Sequence, residues 1–160
     1  MPGCGGAGRP DGELPIAAGE RAARLEAVQP VLPSRDVAAA IGFYVGRLGF
    51  ELAFADSTRD PGYAGVRRDG IELHIQWHDA EEWSRVERPM LRFVVPAVED
   101  LFDEYREQGV FHERTALRRT PWGTREFAFY DLDMNGLTFY RGLADGEAPD
   151  PPEGEDLSDR

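Results

Sequence analysis

Pro121-Trp122-Gly123-Thr124-Arg125-Glu126-Phe127, continuing through Asp131, Asn135 and Phe139, is the stretch that decides how this chain is read. Pro-Trp-Gly is a turn that displays a large aromatic side chain at a rim. Arg125 to Tyr130 reads as a strand, Asp131 to Gly136 carries turn chemistry, and Leu137 to Tyr140 reads as a second strand. An isolated hairpin is marginal in water, so this one must join a larger sheet.

The rest of the chain supplies that sheet. Ala27 to Leu32 reads as a short strand, placed at an edge or a first position by Pro30 and Pro33. Ser34-Arg35-Asp36 caps a helix whose apolar face is Val37, Ile41, Tyr44, Val45 and Leu48, ended by Gly49. Strands follow at Phe50 to Asp56, Tyr63 to Arg67 and Ile71 to Trp77, the last two joined by Asp69-Gly70. In Ile71 to Trp77, Ile71, Leu73 and Ile75 alternate with Glu72, His74 and Gln76. His78 to Glu87 reads as a polar linker containing Trp83. The pattern then restarts: a strand at Met90 to Val95, a helical face of Val98, Leu101, Phe102 and Tyr105 ended by Gly109, a strand-like Val110 to Arg114, a loop at Leu117 to Pro121, and the hairpin. The helices match in kind, with Val37/Val98, Ile41/Phe102, Tyr44/Tyr105 and Gly49/Gly109, which reads as internal duplication. The expected fold is α+β: two tandem βαβββ modules, residues 27–78 and 89–143, forming a curved mixed sheet with helices outside and a cleft on the concave face.

Composition sets limits on function. A chain of 160 residues with 41% hydrophobic content suits one domain. No apolar run approaches the ~18 residues of a membrane span, and Met1 to Pro15 lacks a secretory signal pattern, which points to a cytoplasmic protein. The single Cys4, in a Gly-rich segment, has no internal disulfide partner. All 18 basic residues are Arg, which excludes lysine Schiff-base chemistry. The net charge of −12 disfavours nucleic acid. Half of that charge lies on residues 144–160, read as an acidic disordered tail, as residues 1–26 are read as an N-terminal one.

Taken in order, Pro30-Val31-Leu32, Arg35-Asp36-Val37, Phe43-Tyr44, Arg47-Leu48-Gly49-Phe50, Ala64-Gly65-Val66, Pro121-Trp122-Gly123, Arg125-Glu126-Phe127-Ala128 and Asp131 with Asn135 resemble the vicinal oxygen chelate superfamily of glyoxalases, bleomycin-resistance proteins and extradiol dioxygenases. The closer resemblance is to bleomycin-resistance proteins. It implies a homodimer with an exchanged N-terminal strand, Pro30 near the hinge, and a ligand held in an interfacial cleft without a cofactor or metal of the protein's own. By position, Phe54, Tyr63 and Trp122 match the family's cleft aromatics and Gln76 a polar contact. Metal-dependent members draw four ligands from positions that here carry Gln29, Glu72, Met90 and Thr138. Met90 and Thr138 are poor donors for a divalent ion, and with His74 added the set Gln29, Glu72 and His74 is still short.

Several positions depart from the resistance-protein pattern. Arg92 stands in place of a stacking tryptophan, His74 in place of an aromatic, and Glu72 in place of a small neutral residue. Arg92 is the expected ion-pair partner of Glu72, since an unpaired inward carboxylate is costly. The ligand-binding set is therefore Phe54, Tyr63, Glu72, His74, Gln76, Arg92 and Trp122. Trp77 and Trp83 read as packing, His78 and His112 as surface residues, and Asp131 and Asn135 as turn-holding residues. The favoured function is a non-catalytic small-molecule binder, with a bleomycin-type antibiotic as one candidate ligand. A metal-dependent lyase or dioxygenase, and a binder of an anionic metabolite using Arg92 and Arg67, are the alternatives.

Overall fold

The computed structural model describes residues 19, 20 and 22–153. Cys4 and most of the N-terminal tail lie outside them, as do residues 154–160. The chain forms two four-stranded mixed sheets with their helices outside, and neither sheet closes into a barrel. The first sheet has the order β1-β4-β3-β2, from β1 (Val31–Ser34), β2 (Glu51–Ala55), β3 (Tyr63–Arg68) and β4 (Ile71–Trp77). The second repeats it as β5-β8-β7-β6, from β5 (Met90–Val94), β6 (Arg118–Arg119), β7 (Thr124–Tyr130) and β8 (Gly136–Gly142). In each, the first strand runs parallel to the last, and the remaining pairs are antiparallel.

Each module places one ten-residue helix against its sheet, α1 (Val37–Gly46) in the first. Asp36 caps it by accepting from Ala39 N. The second-module helix, Val98–Glu107, has no side-chain cap, but Glu99 and Asp100 in its first turn and Arg106 in its last complement the helix dipole. Gly49 and Gly109 follow the two helices at φ +73° and +68°, a region costly for residues with a Cβ. The matched pairs Val37/Val98 and Tyr44/Tyr105 are all buried in one continuous core.

Three segments within the two modules differ from expectation. The first strand begins at Val31, not Ala27, because Pro30 has no N–H to donate; its carbonyl accepts from His74 N instead. The expected linker 78–87 contains the short helix α2 (Ala80–Trp83), started by a capping box of Asp79 and Glu82. Numbered in chain order, the helix Val98–Glu107 is therefore α3. Val110 to Arg114 is not a strand, and the outer partner of β7, on the side away from β8, is the two-residue β6. Side chains replace the missing ladder: His112 Nε2 accepts from Tyr130 N at 3.0 Å, and Thr115 Oγ1 donates to Ala128 O at 2.9 Å. His112 thus serves the edge of β7 and is not merely a surface residue.

The two modules are joined by a buried polar node. Tyr44 of α1 donates to Asp131 Oδ2 at 2.8 Å, and Asn135 Nδ2 donates to both Asp131 Oδ2 and Pro33 O. Asp131 Oδ1 accepts from the backbone of Asp133 and Asn135, so these residues hold the β7–β8 turn as expected and also tie it to the first module. Burial pushes the Asp131 carboxyl up, against the opposing pull of its bonds to Asn135 and Tyr44, and pushes Tyr44 up strongly. On the opposite side, Tyr105 of α3 donates to Leu48 O at 2.9 Å, and burial takes its phenol up to about 12.

Residues 144–153, expected as disordered, are bound to the second sheet. Arg141 grips both oxygens of Glu147 at 2.8 Å, and Arg119 grips Asp150. Charge pairing overrides the disorder-prone composition there.

Tyr44→Phe is expected to lower the unfolding free energy by about 1–3 kcal/mol in urea titration, because Asp131 then loses a buried donor. Arg141 holds Glu147 down to about 2 from an ordinary 4.5. The linked stabilisation is therefore present above pH 4.5 and lost as pH falls through about 2. A carbon-13 titration of Glu147 should find its midpoint near the lower figure.

Candidate functional site

Strand alternation decides which side chains face away from the helices. Leu73 and Ile75 of β4 are each 1% exposed beneath α1, so Glu72, His74 and Gln76 point to the other face. The register sets Tyr63 opposite Gln76, Gly65 opposite His74 and Arg67 opposite Glu72. Phe54 of β2 pairs with Gly65, and its ring lies over that glycine. A Cβ at Gly65 would sit 2.3 Å from Phe54 Cε1, so only glycine leaves room for the ring.

On this face the predicted residues meet. His74 stands edge-on to Phe54 and Tyr63, with centroids 5.1 and 5.4 Å apart, and Phe54 stacks with Tyr63 at 6.1 Å. His74 Nδ1 is 2.7 Å from Tyr63 Oη, and Nε2 is 3.1 Å from Glu72 Oε1. A neutral imidazole with its proton on Nε2 satisfies both contacts: it accepts from the tyrosine and donates to the carboxylate. Arg67 reaches the other Glu72 oxygen at 3.7 Å. The result is an aromatic platform with a carboxylate at its side.

The second sheet carries a separate group. Arg92 pairs with Glu126 at 3.2 Å and lies over the Tyr140 ring at 4.3 Å. Glu126 also accepts from Thr124 Oγ1 at 2.7 Å and Trp122 Nε1 at 3.4 Å. The expected Glu72–Arg92 pair is therefore not made. Each charge finds a partner within its own sheet, Arg67 directly across the ladder from Glu72 and Glu126 two strands from Arg92. Glu126 is the residue that sequence reasoning passed over. It alternates with the buried Phe127, which would have placed it on the open face. Trp122 is 66% exposed.

Among the described residues, no hydrogen bond, ion pair or ring contact joins the two groups. A cavity of about 650 Å³ lies between the segment Ala27–Pro30 ahead of β1, the β3–β4 turn, β5 and α3. Glu72, Arg92 and Gln29 reach its wall, but Phe54, Tyr63, His74, Gln76 and Trp122 do not. Both Glu72 oxygens are engaged, Met90 is exposed, Thr138 is buried beside Arg92 in the ladder, and no cluster of three or more His, Cys, Asp or Glu suited to a metal occurs among the described residues. Also among them, no helix is long and apolar enough to cross a membrane.

The model of the glyoxalase/bleomycin resistance protein/dioxygenase superfamily matches residues 26–139, and the chain belongs to that superfamily. Bleomycin resistance proteins of Geobacillus stearothermophilus and Staphylococcus aureus are 27% identical over 130 residues, covering 71% of this chain and 95% of theirs. Among solved structures, the bleomycin-binding protein of bleomycin-producing Streptomyces verticillus, complexed with copper(II)-bleomycin, superposes with a TM-score of 0.62 at 29% identity. That match covers 76% of this chain and 99% of the other. A glyoxalase-related enzyme from Clostridium phytofermentans shares the fold at a TM-score of 0.60 and 17% identity.

Gly65→Ala is expected to push the Phe54 ring off the sheet. Because Phe54 is an edge-strand side chain, 41% exposed, the ring can swing to solvent. The urea midpoint should shift by less than ~1 kcal/mol equivalent, while nuclear Overhauser contacts between Phe54 and His74 vanish.

Proposed function

We propose that this protein is a cytoplasmic, non-catalytic binder that sequesters a planar, cationic, antibiotic-type molecule in a cleft between two copies of the chain. The observation that carries this reading is the Phe54–Tyr63–His74 platform with Glu72 beside it on one sheet, and Trp122 with Glu126 on the other. Flat aromatic rings stack on such surfaces, and carboxylates favour a cationic ligand. Arg92, which by charge alone would oppose a cation, is paired with Glu126. The relatives named bleomycin resistance proteins support the same ligand class.

The dimer follows from the separation of the two groups. A ligand touching both needs the first sheet of one copy to face the second sheet of another. Leu25 and Val28, 97% and 85% exposed ahead of β1, suit an arm that packs on the second copy, with the N-terminal strand exchanged about Pro30. The anionic-metabolite reading loses support because Arg67 and Arg92 both already face carboxylates. The lyase or dioxygenase reading loses support because both Glu72 oxygens are engaged and Met90 and Thr138 are poor donors for a divalent ion.

Titration with metal-free bleomycin should quench tryptophan fluorescence to saturation at micromolar ligand. Trp122→Ala should weaken binding by about 1–2 kcal/mol, the range for losing one aromatic contact. No saturable quenching at micromolar ligand would remove bleomycin as the ligand. Light scattering on the free protein should return twice the chain mass.

A further inference from the structure

Trp122 is held in place by very little of its own. Among the described residues its ring packs on no other aromatic ring, and its one polar contact is the 3.4 Å bond to Glu126. Its position comes from the backbone of the turn Thr120–Thr124. Within that turn Thr120 N donates to Thr124 O at 2.7 Å, and the two threonine hydroxyls sit 2.7 Å apart. The turn stands on β6, which has only two residues, and so short a hairpin leg is weak alone.

The segment after β8 supplies the missing support. Leu143 N donates to Gly123 O at 2.9 Å, on one leg of the turn. Asp150 binds the other leg at Arg119 through both backbone and side chain. Asp150 N donates to Arg119 O at 2.8 Å, Arg119 N donates to Asp150 Oδ2 at 2.8 Å, and Arg119 Nε donates to Oδ1 at 2.9 Å. Between these points the segment is folded back by Gly146, at φ +87°, and by Glu147, which Arg141 and Ala144 N hold. Arg119 draws the Asp150 carboxyl below its ordinary value, chiefly through the backbone bond. Beyond it Glu153 lies 3.6 Å from Arg118.

We propose that residues 143–153 form a strap that positions Trp122 for ligand, with Asp150 as its anchor. Asp150 is a positioning residue: it touches the turn and not the ligand. Its bonds run along the free edge of β6, so the strap also covers that edge. The proposal rests on Trp122 as a ligand contact, and its test separates the two ideas.

In a Trp77→Phe/Trp83→Phe background, Trp122 is the only fluorophore of its kind. Asp150→Ala should lower the steady-state anisotropy of Trp122 and raise its quenching by acrylamide. It should also weaken metal-free bleomycin on the order of tenfold, the loss expected for one charge-assisted clasp. Asp150→Asn is the second variant should the alanine form not fold, with the same direction expected. Unchanged anisotropy and quenching overturn the proposal, even where the urea midpoint falls, because a merely structural role predicts only that fall. If the background protein binds no bleomycin, the ligand assignment fails, and the anisotropy comparison alone decides whether the strap positions Trp122.

Discussion

The buried carboxylate of Asp131 is the contact on which this molecule depends. It lies at the end of β7, yet it accepts from Tyr44 in the first module and from Asn135, whose amide also reaches Pro33 O. One side chain thus shapes the last hairpin and fastens the two halves together. A carboxylate in that position is tolerable only because every approach to it ends in a donor. Duplication makes the arrangement economical. Tyr105 occupies in the second module the place of Tyr44 in the first, and its hydroxyl likewise crosses to the other half, at Leu48 O.

The helices cover one side of each sheet, and the opposite faces stay open. Register then determines the chemistry of those faces. In the first sheet, glycine at 65 lets Phe54 lie flat and brings it against His74, while Arg67 neutralises Glu72 from the neighbouring strand. In the second, Glu126 gathers Arg92, Thr124 and Trp122 around one carboxylate. Neither face encloses a ligand by itself. The cavity of about 650 Å³ is walled by Glu72 and Arg92 but not by Phe54, Tyr63, His74 or Trp122.

Much of this was legible in the residues. Alternation in Ile71 to Trp77 placed Glu72, His74 and Gln76 on one face, and the helical spacings placed Tyr44 and Tyr105 in equivalent positions. Turn chemistry at Pro121-Trp122-Gly123 displayed the tryptophan. These signals are local: a period of two, a period of 3.6, or the backbone demands of glycine and proline. What was misread depended on partners distant in sequence. Open faces alone suggest pairing Glu72 with Arg92, but pairing follows distance within a sheet: Glu72 meets Arg67 on the next strand, and Arg92 meets Glu126 two strands away. Composition alone marks the acidic segment after Leu143 as disordered, because it cannot register Arg119, 31 residues from Asp150.

The chain's own pattern therefore determined two βαβββ modules, their order of elements, the open faces of their strands and the exposed tryptophan, since neighbouring residues alone dictate periodicity and turns. Tertiary structure decided which charges neutralise one another, that Asp131 locks the modules together, and that the acidic C-terminal segment grips the turn carrying Trp122. Those outcomes rest on separations of a few ångströms between residues tens of positions apart, a quantity that no local pattern encodes.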